Sequence, residues 1–156
     1  MLIVSIAIGT VAGGGVAYAY WSAGGSGSAT GVNGTTSAVT LSAGTPTASL
    51  YPGGSANVVL TVSNPNTSRI HIGSLILDTS QGASGFSIDA GHPACGTTTF
   101  TYTTQTNSGS GWTVPGKVGG TNGTLSITLP SALAMGLTAS NSCQGATTTV
   151  YLAATP

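Results

Sequence analysis

Apolar and polar residues alternate with a period of two along much of this chain. The pattern is cleanest where Ala56, Val58, Leu60 and Val62 interleave with Asn57, Val59, Thr61 and Ser63. That period puts each set of side chains on its own face of an extended backbone, so the stretch predicts a half-buried strand. The pattern returns at Leu125, Ile127 and Leu129 against Ser126 and Thr128, and at Phe100 and Tyr102 against Thr101 and Thr103. Shorter strands are predicted at Phe86 and Ile88 and at Trp112 and Val114. Residues 38–42 and 47–50 are candidate opening strands. Residues 146–153 are the last, with Ala146, Thr148, Val150 and Leu152 on one face. Ile70 and Ile72 hold one phase and Leu75 and Leu77 the other, which predicts a bulge near Gly73 and Ser74. The threonine rows Thr97 to Thr99 and Thr147 to Thr149 suit exposed β-structure.

Turn chemistry separates these runs. In Tyr51-Pro52-Gly53-Gly54, Pro sets φ at the second position and Gly supplies the positive φ of the third. Asn64-Pro65-Asn66 ends a strand, because proline has no amide hydrogen for a ladder. Residues 92–96 read as a loop, and Asn122-Gly123 predicts a hairpin turn with positive φ at both positions. Residues 130–138 hold a candidate single helical turn around Leu133 to Met135. No helical period of any length follows residue 21, so the expected fold is all-β, an Ig-like antiparallel sandwich of Greek-key or jelly-roll type.

Residues 1–21 stand apart, with no charged side chain among them. About 20 apolar residues at ~1.5 Å per helical residue reach roughly 30 Å, the thickness of a bilayer's hydrocarbon core, so a signal or membrane helix is one reading. A period of two also runs through the segment: Leu2, Val4, Ile6 and Ile8 against Ser5, Ala7 and Gly9, then Val16, Tyr18 and Tyr20 against Ala17 and Ala19. Each of Gly9, Gly13, Gly14 and Gly15 costs an aqueous helix about 1 kcal/mol relative to Ala. A second reading is therefore an extended strand donated to another subunit, with Val4, Ile6, Ile8, Val16, Tyr18 and Tyr20 as the assembly residues. A third is a segment packed on its own domain. Tyr18, Tyr20 and Trp21 serve either as an interfacial aromatic belt or as the plug that seats a donated strand. Residues 22–37 form a Gly/Ser/Thr linker, and 38–156 the sandwich domain.

Composition narrows the function. Charged residues make up 3% of the 156-residue chain, and Arg69, Lys117, Asp78 and Asp89 are the whole set. No basic stripe exists to meet phosphates, so nucleic acid is not an expected partner. Zero formal net charge removes the repulsion that keeps copies apart, which favours self-association or a glycan coat. Cys95 and Cys143 are the only cysteines, and suit one disulfide in an oxidising compartment; the alternative is two buried thiols. Asn33, Asn66 and Asn122 each open an Asn-x-Ser/Thr glycan-acceptor pattern, although Asn-Gly is also a turn dipeptide in its own right.

Enzyme signatures are missing: no Gly-x-Ser-x-Gly elbow, phosphate-binding loop, dinucleotide fingerprint or His-Glu-x-x-His. No catalytic residue, metal ligand or cofactor is expected. His71 falls opposite the phase of Ile70 and Ile72, which makes it an outward side chain. His92 and Asp89 share one loop, where they could form a hydrogen bond or hold a weak metal.

Gly13 to Gly31, with Ala17-Tyr18-Ala19-Tyr20-Trp21 running into the spacer, resembles the N-terminal region of small exported Ig-like proteins of actinobacterial, Gram-positive type. The likeness continues in Val62-Ser63-Asn64-Pro65-Asn66 and in Cys143-Gln144-Gly145-Ala146-Thr147. The resemblance implies an exported β-sandwich and assigns no activity; Ala17-Tyr18-Ala19 would be its cleavage site. More distantly, the Gly-rich leader closing on aromatic residues is similar to the TasA/camelysin biofilm-fibre group. That likeness implies extracellular fibres completed by N-terminal strands. The chain is thus expected to be a non-enzymatic extracellular or cell-surface protein that polymerises head to tail with itself. Its rival is a monomeric module in contact with a membrane through residues 1–21, gripping carbohydrate or protein with loops such as 89–95 and 106–111.

Overall fold

A computed structural model describes residues 37–156. The predicted assembly residues Val4, Ile6, Ile8, Val16, Tyr18 and Tyr20, and the acceptor Asn33, lie outside the described residues. Residues Thr35–Pro156 form one compact unit, an all-β sandwich of antiparallel layers.

The strands are β1 (Thr40–Leu41), β2 (Thr45–Pro46), β3 (Ser55–Asn64), β4 (Ile70–Ile72), β5 (Ser74–Leu77), β6 (Phe86–Ile88), β7 (Phe100–Tyr102), β8 (Trp112–Val114), β9 (Gly123–Met135), β10 (Thr148–Val150) and β11 (Leu152–Thr155). One layer is a five-stranded sheet in the order β1-β3-β9-β7, with β2 also pairing β3. The facing layer consists of the antiparallel pairs β4 with β8, β5 with β11 and β6 with β10. Alternation in β3 emerges as expected: Ala56, Val58, Leu60, Val62 and Asn64 are buried. Opposite them Ile127, Leu129, Leu133 and Met135 of β9 are buried too, and meet Ile72, Leu75, Phe86, Val114, Val150 and Leu152 of the facing layer. Full burial of each such aliphatic side chain is worth about 1.5–3 kcal/mol, so this interior carries the fold.

The opening segment sews the layers together. Gly44 exchanges hydrogen bonds with Val150 in one layer (2.7 and 2.9 Å), while Thr45 pairs with Val59 in the other. A Cβ on Gly44 would stand 2.6 Å from a Val58 methyl, so only glycine lets the backbone pass here. This crossing is why the observed strands are Thr40–Leu41 and Thr45–Pro46 rather than 38–42 and 47–50.

Other expectations are corrected. No bulge forms at Gly73; the chain changes partners there, β4 pairing β8 and β5 pairing β11, while Gly73 donates to Thr155 O. The turn before β9 is at Gly119 and Gly120, closed by Val118 and Thr121 with Gly119 at φ 58°, and not at Asn122-Gly123. Gly123 is instead the first residue of β9, where its missing side chain admits the Pro115 carbonyl. The candidate helical turn at Leu133 to Met135 is strand: these residues pair with β7, and the buried side chains of Leu133 and Met135 override local propensity. A bulge lies just before it, where Ser131 takes φ 45° and its amide donates to Asn57 Oδ1 at 2.9 Å. Thr97–Thr99 is a 3-10 turn rather than an extended row. The Pro52-Gly53 turn forms as read, with Gly53 at φ 77° and Gly54 N donating to Tyr51 O at 2.8 Å.

Cys95 and Cys143 are joined in a disulfide and both are buried. Closing a loop of 48 residues stabilises the fold by about 4 kcal/mol in the chain-entropy model. Cys95→Ser/Cys143→Ser should therefore lower the urea-unfolding free energy by about that amount and leave the strand dichroism in place. An unchanged unfolding midpoint would contradict the assignment.

Candidate assembly interface

Three features of the sandwich bear on assembly. The first is the point where the N-terminal segment joins the domain. Asn64 is fully buried at the end of β3 and uses its whole amide: Nδ2 donates to Ser68 O (2.9 Å) and Pro115 O (3.0 Å), and Oδ1 accepts from Asn66 N (3.0 Å) and Asn66 Nδ2 (2.9 Å). Asn66 in turn clips residue 37. Its Oδ1 accepts from Ser37 N and its Nδ2 donates to Ser37 O, both at 2.8 Å. Lys117 N donates to Asn66 O at 2.7 Å and ties the Gly119-Gly120 hairpin to the same node. Ser37, the first described residue, is therefore held at a fixed place beside the start of β9.

The second feature is an open edge. In β3 the odd-numbered residues face β1 and β2, since Asn57 O accepts from Thr47 N (2.9 Å) and Thr61 O from Ser42 N (2.8 Å). Val58, Leu60, Val62 and Asn64 accordingly bond to Leu129, Ile127, Leu125 and Gly123. The amides and carbonyls of Thr124, Ser126 and Thr128 then point to the other side of β9. That is the side on which Thr103 N donates to Ala132 O (2.9 Å) and Gly136 N to Thr99 O (2.8 Å). β7 covers only Leu133 to Met135 there. Among the described residues nothing hydrogen-bonds the backbone of Thr124, Ser126 or Thr128. From Gly123 to Leu129 this edge carries no charge and no proline, so it lacks the usual guards against strand addition. Pro130 and the bulge at Ser131 mark its upper limit.

The side of the sandwich above this edge is closed by Tyr102, whose hydroxyl donates to Leu75 O in the facing layer at 3.0 Å. Burial pushes that hydroxyl well above its ordinary pKa, so it remains a donor. Lower down, Leu125 and Trp112 are only partly buried against the core.

The third feature is the opposite end, where the disulfide joins the Asp89–Cys95 loop to the 3-10 turn Asn141–Cys143. Asp89 accepts from His92 Nδ1 (2.8 Å), Gly91 N (2.9 Å) and Thr147 N (2.5 Å), so the hydrogen bond that the sequence allowed between His92 and Asp89 is made, as part of a structural loop. The His92 bond, and then the Thr147 amide, hold the Asp89 carboxyl below its ordinary value of 3.8. Asp78 is held low in the same manner by the Ser80 hydroxyl and then Gln81. Among the described residues no group of His, Cys, Asp and Glu is placed to hold a metal.

His71 is exposed in β4, on the outward face expected for it. Of the acceptor asparagines, Asn122 is exposed and donates to Ser63 Oγ at 3.1 Å, whereas both Asn66 Nδ2 hydrogens are engaged in the fold. Sequence reasoning passed over the Ser37–Asn66 clip and the unpaired side of β9. Comparison with protein-family models, with curated proteins and with solved structures finds no match.

A carboxyl whose folded pKa is depressed stabilises the fold above its unfolded pKa, and that contribution is lost as pH falls through the folded value. The Asp89–Cys95 loop should hold its form from neutral pH to about 4 and loosen below that. Hydrogen-exchange protection of the Gly91 and Thr147 amides should fall there, and Asp89→Asn should remove the pH step. Protection that is flat down to about pH 2.5 in the parent chain would refute the role given to this carboxylate.

Proposed function

We infer that this chain is a non-enzymatic, extracellular structural protein, the subunit of a filament or surface layer built by donation of its N-terminal strand. The observation that carries the reading is the side of β9 that has no hydrogen-bond partner among the described residues and no charge or proline to guard it. Its stretch from Gly123 to Leu129 measures about 23 Å at ~3.3 Å per residue, the same length as the alternating run from Leu2 to Ile8. Strand addition would give Thr124, Ser126 and Thr128 the backbone partners they lack. Large side chains at alternate positions would cover Leu125 and Trp112, and a period of two would set the register. A contact in which one subunit gives a strand and the next receives it does not close on itself, and so produces a fibre.

Low charge, the disulfide and hydroxyl-rich strand faces accord with an oxidising, extracellular setting. The rival binding module is less well served: Trp112, the aromatic nearest its loops, is half-buried against the core.

Ser126→Pro tests the mechanism selectively. The Ser126 amide points away from β3, so proline removes a donor from the open side while the β3 ladder keeps its bonds. Stability should change by no more than about 1–2 kcal/mol, while filament mass in electron micrographs and pelleting assays falls about tenfold or more. Deleting residues 1–12 should have the same effect on assembly. Filaments that persist in both variants would refute strand donation.

A further inference from the structure

The two ends of β9 differ in chemistry as well as position. Beyond Gly123 lies the pole that holds both cations of the chain: Arg69 and Lys117 line one cleft of about 380 Å³ together with Thr67, Pro115 and Val118. Val118, on the Gly119-Gly120 hairpin, projects from this pole with 81% of its surface exposed. Among the described residues neither Arg69 nor Lys117 lies within ion-pair distance of a carboxylate.

Beyond Met135 lies the other pole. Tyr51 is 68% exposed and Leu137 83% exposed, and Leu137 packs over Gly53 of the adjoining turn. Beside them a cleft of about 250 Å³ is lined by Leu50, Tyr51, Pro52, Met135 and the Cys143 turn. Asp89 is tied to this pole through Thr147 and the disulfide, and it stays partly exposed.

We propose that these poles dock on each other in successive copies of the chain. Val118 of one copy enters the cleft beside Tyr51 and Met135 of the next, and Arg69 and Lys117 face that copy's Asp89. The inference rests on the strand-donation reading and supplies the second half of its junction. Complementarity supports it on two counts: an apolar projection meets a recess walled by Leu50, Tyr51, Pro52 and Met135 and also by the polar Ser140, Asn141 and Gln144, and the pole with both cations meets the pole with a carboxylate. Two cationic poles repel each other, so a symmetric contact is disfavoured and a head-to-tail one results. Ser37 sits at the cationic pole, so a donated segment would start from this contact and run along the next copy toward its Gly123–Leu129 edge.

The test uses the full-length chain. Lys117→Glu/Val118→Ser disables the cationic pole, and Tyr51→Ser/Leu137→Ser disables the apolar one. Val118, Tyr51 and Leu137 are exposed and Lys117 is half-buried, and circular dichroism and melting check that each variant folds. Each variant alone should need about tenfold more protein than the parent before filaments appear. An equimolar mixture restores one intact contact per pair, so native mass spectrometry should show mixed dimers well above either same-variant dimer. Folded variants that assemble at the parent concentration, or a mixture with a purely statistical dimer distribution, would overturn the contact. Strand donation would still stand if Ser126→Pro abolished filaments in the same assay. Conversely, pole variants that block assembly while Ser126→Pro does not would keep the contact and remove the strand. A parent chain that stays monomeric at every concentration would overturn both.

Discussion

The ladder between β3 and β9 is the constraint from which the rest of the molecule follows. It runs from Asn64–Gly123 to Ser55–Ala134, and both strands turn buried side chains into the same interior. Its register also fixes which backbone groups remain for other partners. On β3 the spare groups are taken by β1 and β2, but on β9 the spare groups below the bulge have no described partner. Shifting the ladder by one residue would expose Val58, Leu60 and Val62, a loss far larger than one unpaired edge could offset. The open side is therefore maintained by the hydrophobic interior itself.

Charge scarcity makes such an edge consequential. A soluble monomer blunts its edges with lysine, proline or a bulge, and this chain has two cations and two carboxylates in all. Their placement is uneven: Arg69 and Lys117 share a cleft, whereas Asp78 and Asp89 are engaged by local hydrogen bonds elsewhere. Polarity over the rest of the strands comes from Ser and Thr, which add little repulsion between copies. A surface of this kind suits a subunit whose neighbours are permanent.

The faces of the strands were legible in the sequence because side-chain alternation is a local property. The buried sets of β3, β7, β8 and the lower part of β9 fall on the phases read from their residues. Neighbours were not legible, because pairing depends on residues far along the chain. Gly73 resembled a bulge, since a change of phase looks the same whether a strand kinks or changes partners. Asn122-Gly123 has the composition of a hairpin turn, yet Gly123 is required because the Pro115 carbonyl approaches it from a distant loop. Leu133 to Met135 could turn as a helix in isolation, and only contact with β7 and the interior makes them strand. The open edge escaped detection for the same reason: the pattern gives the direction of side chains, while the direction of an amide depends on what it pairs with.

The position of Ser37 sets up a competition that bears on how assembly is controlled. The spacer expected from the composition of residues 22–36 would, as a Gly/Ser-rich coil, span about 20 Å on average and roughly 50 Å when extended. Under the proposed strand donation, a spacer of that reach would let the alternating run meet either the chain's own β9 edge, beside the node that holds Ser37, or a neighbour's. Filling its own edge and filling another's would make the same backbone bonds, so the strand by itself expresses no preference. The intramolecular choice benefits from an effective concentration in the millimolar range, and it would dominate in dilute solution. The proposed contact between poles would tip the balance, because it would exist only when two copies meet and would add to the exchanged arrangement alone. Assembly would then depend steeply on concentration, with closed monomers below a threshold and open chains above it, as in other exchanges of an identical element between subunits.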